Sequence, residues 1–533
     1  MSHRLFGLAA NPALPSGLLD RLLALAVAGG PEAAEGPFDF DTEELALALA
    51  DRPDLGRARA RVLAARAEST AVGLAYGGQL HADDVDPGAW PLAAVALLDA
   101  GADRPAWARL LAAHPDPGIR WRLASCPGLP TDVAETLAAD PDTGVVAELA
   151  LWTTAEVATR LARHPHAEVR YAAALNEAAA PAALAALITG VGLDPAVSCL
   201  VCDIKDVPFT HHPYCPDPDC ELRSGAACDG THGSTVEETR ERAARNPATP
   251  AAAAATLAGD PSMLVRWTLA ERSDLPREVY ARLAEDPVPG VREAVAGNPA
   301  IGEDLVRALA ADPSHEVRRA LARHPGLPLD VLAGLARSTR IGSVLPPRIA
   351  AATPGELAGL AASPHAAVRM LVAHHRDLEP ELRDALAADP DAAVVSAVAP
   401  HPGLAEERLR SMVAAHGGRV VARVAANPDA PGALLEELAR REPPVRKVLR
   451  AIAAHPHATA EALRPCLADP KAGPIAAAHP ALPPALLVDL LDGGDERLAE
   501  AAAGNPSLPV AAMAELTARY GRAAEPGVTR PVS

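Results

Sequence analysis

Three independent markers in the middle of this 533-residue chain keep a single period of 26. Asp260-Pro, Asp286-Pro and Asp312-Pro step by 26, and so do Val265-Arg266, Val291-Arg292 and Val317-Arg318. Asn246-Pro and Asn298-Pro lie 52 apart and His324-Pro a further 26 on, with Arg272-Ser-Asp-Leu-Pro holding the frame between them. The frame recurs at Cys126-Pro-Gly-Leu-Pro, His401-Pro-Gly-Leu, Asn427-Pro-Asp-Ala-Pro, His455-Pro, His479-Pro-Ala-Leu-Pro and Asn505-Pro-Ser-Leu-Pro. A fixed period of this length commits a chain to units that bury their apolar faces on their neighbours, not in one large core.

Each half of the unit reads as a short helix. In the first half, Pro328 suits a first helical turn, Asp330 complements the helix dipole, and Leu332 and Leu335 share a face. In the second half, Asp312 is read as the N-cap and Pro313 as the first helical residue, with Val317, Ala320 and Leu321 facing inward. His324-Pro325 then stops the helix, because a residue before proline avoids the α region. The predicted fold is therefore all-α: a solenoid of ~26-residue two-helix repeats. Stretches such as LARHPGLPLDVLAGLA (321–336) and ALAADPSHEVRRALARHPG (308–326) resemble the leucine-rich repeat variant family and, more loosely, HEAT-type repeats. The likeness implies a right-handed superhelix of alternating α and 3₁₀ helices, with 3₁₀ character in the second helix.

Composition supports this class. Hydrophobic residues make up 49% of the chain but aromatics only 3%, so the core is largely Ala, Leu and Val, which lets helices approach closely. The net charge of −19 lacks the basic footprint of a nucleic-acid binder and the polybasic clusters that recruit anionic membranes, and points to neutral or basic protein partners. Lysine occurs only at 205, 447 and 471, an arginine bias that suggests a GC-rich coding sequence and a bacterial source. The first residues, MSHRLFGLAANPALP, do not read as a signal peptide, and no run approaches the ~20 apolar residues of a membrane span. A cytoplasmic protein is expected.

Histidines 114, 324, 401, 455 and 479 are read in one repeat position with Asn246, Asn298, Asn427 and Asn505. His and Asn share a short side chain with a hydrogen-bond donor, so the reading is a ladder serving backbone carbonyls, not a set of general bases. Cys126 stands in the same position, and Cys466 is an isolated helix residue; both read as structural. Arg120, Arg170, Arg266, Arg292, Arg318, Arg369 and Arg446 also recur in register. They read either as a positive stripe or, preferably, as partners of the Asp-Pro turns. No GxGxxG following a strand, P-loop, GxSxG or HExxH is present, and no enzymatic activity is expected.

The frame breaks after about 193 and resumes near 237. In the gap lie Cys199, Cys202, Cys215, Cys220, Cys228 and His232, spaced C-x2-C-x12-C-x4-C-x7-C-x3-H. Two thiolates two residues apart can hold one ion from a tight turn, and a second pair a dozen residues on can complete four ligands. Cys199, Cys202, Cys215 and Cys220 are the first choice, with Cys228 in reserve and His232 as a further ligand. Cys228-Asp-Gly-Thr-His232 resembles the end of the CDGSH iron–sulfur motif, but Pro218 stands where that motif has its other cysteine. Zinc and iron–sulfur clusters both take four thiolates. The leucine-rich repeat variant family carries a cysteine-ligated four-iron, four-sulfur (4Fe–4S) cluster, so the likeness implies iron–sulfur, with zinc as the alternative; the family's cluster domain is N-terminal, whereas this insert is internal.

These readings divide the chain into degenerate helical repeats or an N-terminal cap over 1–112, repeats over 113–193, a metal-binding insert over 194–236, repeats over 237–520 and a disordered tail over 521–533. The expected function is a non-enzymatic protein-interaction scaffold. The alternative is an iron–sulfur redox or iron sensor whose repeats dock a partner protein.

Overall fold

The computed structural model describes residues 3–28, 42–212, 214–216, 220 and 222–522. The described chain is almost wholly short helices, joined by turns at the Asn/His-Pro and Asp-Pro positions. It divides into two compact units, one of 1–84, 343–345 and 352–533 and the other of 85–342 and 346–351.

Within the second unit, the helices Glu303–Leu309, His315–Leu321 and Leu329–Ser338 show how the sequence makes the fold. Pro328 precedes the third of these, Asp330 lies in its first turn, and Leu332, Leu335 and Ala336 are its buried side. Val317 and Leu321 are the buried side of the middle helix. That helix starts later than its Asp-Pro pair suggests. Asp312 Oδ1 accepts from Ser314 N at 2.8 Å, closing a turn ahead of the helix, and Ser314 is the residue that caps. Asp389 does the same two residues before the capping Asp391.

The other Asp312 oxygen receives Arg292 Nε at 2.8 Å. Arg120–Asp140, Arg266–Asp286 and Arg369–Asp389 repeat this pairing at 2.7, 2.6 and 2.6 Å, each spanning 20 residues. Each of these arginines also donates to a carbonyl six residues before it, as Arg292 does to Asp286 O. Arg318 uses Thr339 Oγ1, and Arg170 uses the Asp194 carbonyl. Arg446 is the exposed exception, 3.9 Å from Asp469. The register of arginines is thus mostly an internal ladder between successive turns.

A second ladder is buried. Asn298 Nδ2 donates to the Ala270 and Arg272 carbonyls of the preceding repeat, at 2.7 and 2.5 Å. Asn427 does the same to Ala399 and His401, and Asn505 to Ala477 and His479. His324, His455 and His479 reach one carbonyl each through Nε2. His114 departs from the expectation. It stands where other repeats have the aspartate, with Nδ1 accepting from Asp116 N and its carbonyl receiving Arg120. Among the described residues the second helices are mostly α; between His401 and Asn427 the 3₁₀ segment Gly417–Arg419 opens the second helix, ahead of Val421–Val424. The 3₁₀ segments Thr256–Gly259 and Arg464–Ala468 end first helices, in the latter case where Pro465 removes an N–H from the α pattern.

In the first unit the ladder runs on from the last repeat to the start of the chain. Asn11 Nδ2 donates to the Ala503 and Asn505 carbonyls at 2.8 Å each. Arg52 then donates to Ala9 and Asn11, and Gln79 to Ala50 and Arg52. The helix His3–Ala10 therefore packs on Glu496–Ala503 as the next repeat would, and Arg4 secures it through the Leu491 and Gly493 carbonyls. Residues 3–28 and 42–84 extend the array of 352–522, covering the apolar edge that a last repeat otherwise leaves bare. The helix Val510–Arg522 takes up the first two positions of the stretch read as a tail; the rest of that stretch lies outside the described residues.

Two measurements check this account. Gly7 lies so close to the Glu500 carbonyl that an added Cβ would stand 2.1 Å from its oxygen, whereas Gly17 has open space. Gly7→Ala is expected to cost about 1–3 kcal/mol in thermal or denaturant unfolding, with Gly17→Ala near neutral; equal melting curves for the two would rule out the junction.

His401 is fully buried in the ladder position facing Ala373, and its pKa is pushed down to about 4, chiefly by burial and then by Arg376, with Arg383 and His374 adding to it. Because the folded value lies below 6.5, the stability of keeping His401 neutral is complete above pH 6.5 and drains as the pH falls towards about 4. His401→Asn, which keeps a donor in the slot, is expected to remove roughly 2–3 kcal/mol of acid sensitivity in that window. Parallel stability–pH curves for the two proteins would refute the assignment.

Candidate metal centre

The insert leaves the array where the helix Pro181–Thr189 ends at Gly190, whose φ of 71° is the left-handed stop glycine favours. It returns in the helix Gly233–Arg245. The ladder bridges the excursion: Asn246 Nδ2 donates to Ala174 and Asn176, the latter 70 residues back, at 2.9 Å each. The insert is pinned to the start of the helix Ala167–Leu175. Ala167 N donates to Ser198 O at 2.9 Å, Val197 N to Pro165 O at 2.8 Å, and His166 Nε2 meets Asp203 Oδ2 at 2.7 Å. Arg223 pairs with Glu238 and Glu168 and lies 5.0 Å over the Tyr171 ring.

Two groups of ligand-type side chains result. Cys199 precedes the short helix Leu200–Ile204 and Cys202 lies on it, so the C-x2-C spacing places both sulfurs on one side of a turn, 3.6 Å apart. Cys228 comes from a two-stranded ribbon, β1 (Phe209–Thr210) and β2 (Ala227–Cys228), paired antiparallel with Phe209 opposite Cys228. Gly230, at φ 94°, and His232, at φ 58°, turn the chain back on itself. A non-glycine residue held in the left-handed region is a strained position kept by its surroundings. The turn brings His232 Nδ1 to 3.6 Å from Cys228 Sγ and 3.5 Å from Cys202 Sγ, while Cys202 and Cys228 lie 3.4 Å apart. All four ligand atoms fall within 4.8 Å of one another.

Cys199, Cys228 and His232 are buried, with Ala167, Val201 and Leu222 packed around the sulfurs. Burial pushes the Cys199 thiol up, and burial with the neighbouring Cys228 and Cys199 sulfurs pushes Cys202 up to about 12. Cys228 shifts the other way: burial opposes ionisation, but the Gly230 N–H, 3.2 Å from its sulfur, and Cys202 outweigh it. Three thiols this close become anions together only with a cation among them.

The second group is His211, Cys215 and Cys220, again within 4.8 Å. His211 follows β1, and its Nε2 lies 3.2 Å from Cys220 Sγ. Its pKa is raised, first by Cys215 and then by the Arg223 carbonyl. The structure therefore separates Cys215 and Cys220 from Cys199 and Cys202, and joins the latter to Cys228 and His232. Asp217, Asp219 and Glu221 lie outside the described residues. His211 was missed by the sequence reading; its signal is the spacing His-x3-Cys-x4-Cys. Cys126 and Cys466 belong to neither group: both are buried, burial pushes their thiols up to about 12, and each sulfur faces backbone carbonyls.

Elsewhere among the described residues, no helix is long and apolar enough to cross a membrane. No family model matches the chain, and neither does any curated protein. Among solved structures it is similar to a leucine-rich repeat variant with a novel repetitive structural motif, at 26% identity over 44% of this chain and 83% of that one, with a TM-score of 0.26. It is also similar to the karyopherin Kap121p bound to the extreme C-terminus of the protein phosphatase Cdc14p (12% identity, 96% of this chain, 52% of that one, TM-score 0.21) and to Kap121p bound to Ste12p (11%, 95%, 51%, 0.20). The chain spans about half the length of these karyopherins. In its repeats, this chain resembles the leucine-rich repeat variant and, more loosely, the helical solenoids of the karyopherin kind.

Proposed function

We propose that this chain is a non-enzymatic protein-interaction scaffold whose 194–236 insert is a metal clip on the repeat array. The observation that carries the scaffold reading is where the polar groups go. The ladder asparagines, with His324, His455 and His479, are bound to carbonyls, and most in-register arginines are bound to aspartates. What the repeats offer outward is surface. Trp121 and Trp267 each follow a ladder arginine, occupy equivalent register positions, and are 43% and 37% exposed. Exposed tryptophan is enriched where proteins bind one another. With a net charge of −19, a neutral or basic partner segment suits this surface.

For the clip, we assign Cys199, Cys202, Cys228 and His232 to a single ion. Zinc–sulfur bonds of about 2.3 Å and zinc–nitrogen bonds of about 2.0 Å put tetrahedral ligands about 3.5–3.8 Å apart. Four of the six ligand separations, at 3.4–3.6 Å, support such a site, and all lie within 4.8 Å. An iron–sulfur cluster spreads its thiolates over separate irons, farther apart than one tetrahedron allows. Zinc is therefore the favoured metal. Bound there, it would supply the positive charge the thiolates need and tie the helix Leu200–Ile204 to β2.

Metal analysis and a visible spectrum of full-length protein purified without oxygen test the assignment. Zinc with no visible absorption is expected. Iron and sulfide with a broad band near ~400 nm would replace it with the redox or iron sensor. For the scaffold, Trp121→Ala with Trp267→Ala is expected to weaken binding of a captured partner at least tenfold by calorimetry while leaving the melting curve unchanged. Unchanged affinity would sink that face as the docking surface.

A further inference from the structure

We infer that His211, Cys215 and Cys220 form a second metal site, separate from the clip and holding its ion more loosely. Three observations converge. The three ligand atoms lie within 4.8 Å of one another, a spread that one ion can span. The His211 ring is oriented for ligation: Nδ1 lies 2.8 Å from the Arg223 carbonyl, to which it donates, and this leaves Nε2 as the lone-pair nitrogen facing Cys220. A ligating histidine characteristically spends its other nitrogen on such a carbonyl, which fixes tautomer and ring direction. The carbonyl is itself held, because the Arg223 side chain is clamped between Glu168, Glu238 and Tyr171 on the repeat helices.

The two sites are joined by the ribbon. Cys228 of the clip ends β2, His211 of the second site follows β1, and His211 N donates to Ala226 O at 2.8 Å. Their settings differ. The clip has three buried ligands out of four, whereas Cys215 and Cys220 are only half-buried and stand on a loop beyond the ribbon. Two thiolates and an imidazole select a borderline-soft divalent ion such as zinc. Among the described residues the second site has three protein ligands against four in the clip, so its ion exchanges faster and is open to an external ligand, as three-ligand zinc sites are.

This inference stands apart from the clip assignment, and one experiment separates them. Zinc is counted by mass spectrometry in the full-length protein and its release to a colorimetric chelator is followed in time. Two zinc ions per chain, released in a fast and a slow phase, are expected. Cys215→Ala with Cys220→Ala should remove the fast phase and one ion, and Cys228→Ala with His232→Ala the slow phase and the other. His211→Ala should accelerate the fast phase at least tenfold while leaving the slow one intact. Circular dichroism and melting curves of each variant show whether the repeats remain folded; the wild-type count and its two phases decide the matter even where a variant unfolds. One zinc per chain, lost with Cys228 and His232 but kept without Cys215 and Cys220, would overturn the second site and leave the clip standing. One zinc with the opposite dependence would overturn the clip and leave the second site.

Discussion

The buried side chain that most repeats send back to the carbonyls of the one before is the constraint on which the rest of the structure depends. A second helix stopped short by proline leaves backbone carbonyls without intrahelical partners. In a stacked array those carbonyls are buried, and an unsatisfied buried acceptor costs about 1–3 kcal/mol. Asparagine solves this with two amide hydrogens for two carbonyls, as at Asn427, while its oxygen accepts from Asp429 N. Histidine manages one carbonyl and closes the same turn with its second nitrogen, as at His324 and His455. Arginine does it at Arg52 and Arg272, each neutralised by an aspartate two residues on. The position therefore tolerates several residue types, because what it specifies is a donor of the right reach.

That distinction explains what could be read from the sequence. The frame was legible from about 113 onward because the donor there is usually Asn or His followed by Pro. Asn11, Arg52 and Gln79 build the same ladder near the start of the chain, and the step from Asn11 to Arg52 is 41 residues. A pattern of letters loses the repeat there while a pattern of donors keeps it. His114 shows the converse: the same letter before proline served the other turn, since Nδ1 can accept from an i+2 N–H much as an aspartate oxygen does. The helix start at Ser314 was hidden for a related reason, the Asp312 carboxylate being shared between a turn and the arginine of the previous repeat. In the insert the residue types were legible but not their grouping. Spacing predicts that Cys199 and Cys202 act together, yet their partners come from 26 and 30 residues away across the ribbon.

The charge pattern follows the same logic. An in-register row of arginines looks like a surface offered to anions. The structure spends most of those charges between turns, with Arg292 and Asp312 both largely buried. The Arg292 guanidinium beside Asp312 holds its carboxyl below the usual range, as Arg369 does for Asp389. The net charge of −19 is therefore carried by acids outside this ladder.

An array held by nearest-neighbour bonds also accounts for where a foreign segment can be accepted. Nothing in the ladder requires successive repeats to be close in sequence; it requires only that Asn246 reach Ala174 and Asn176. The chain can thus leave after the helix Pro181–Thr189 and return in Gly233–Arg245 at the cost of closing a longer loop, which grows only slowly with length. The segment itself is then the difficulty. A few dozen residues with two-residue strands and one short helix bury too little to fold alone, and segments of that size ordinarily need a metal or disulfides. The six cysteine and histidine ligands read from the sequence all lie in this one interruption, with His211 beside them, while Cys126 and Cys466 in the repeats are sealed into apolar core. Among the described residues the clustered ligand-type side chains stand where the chain leaves the repeat packing, and the segment is anchored through Ala167, His166 and Arg223 to the repeat helices.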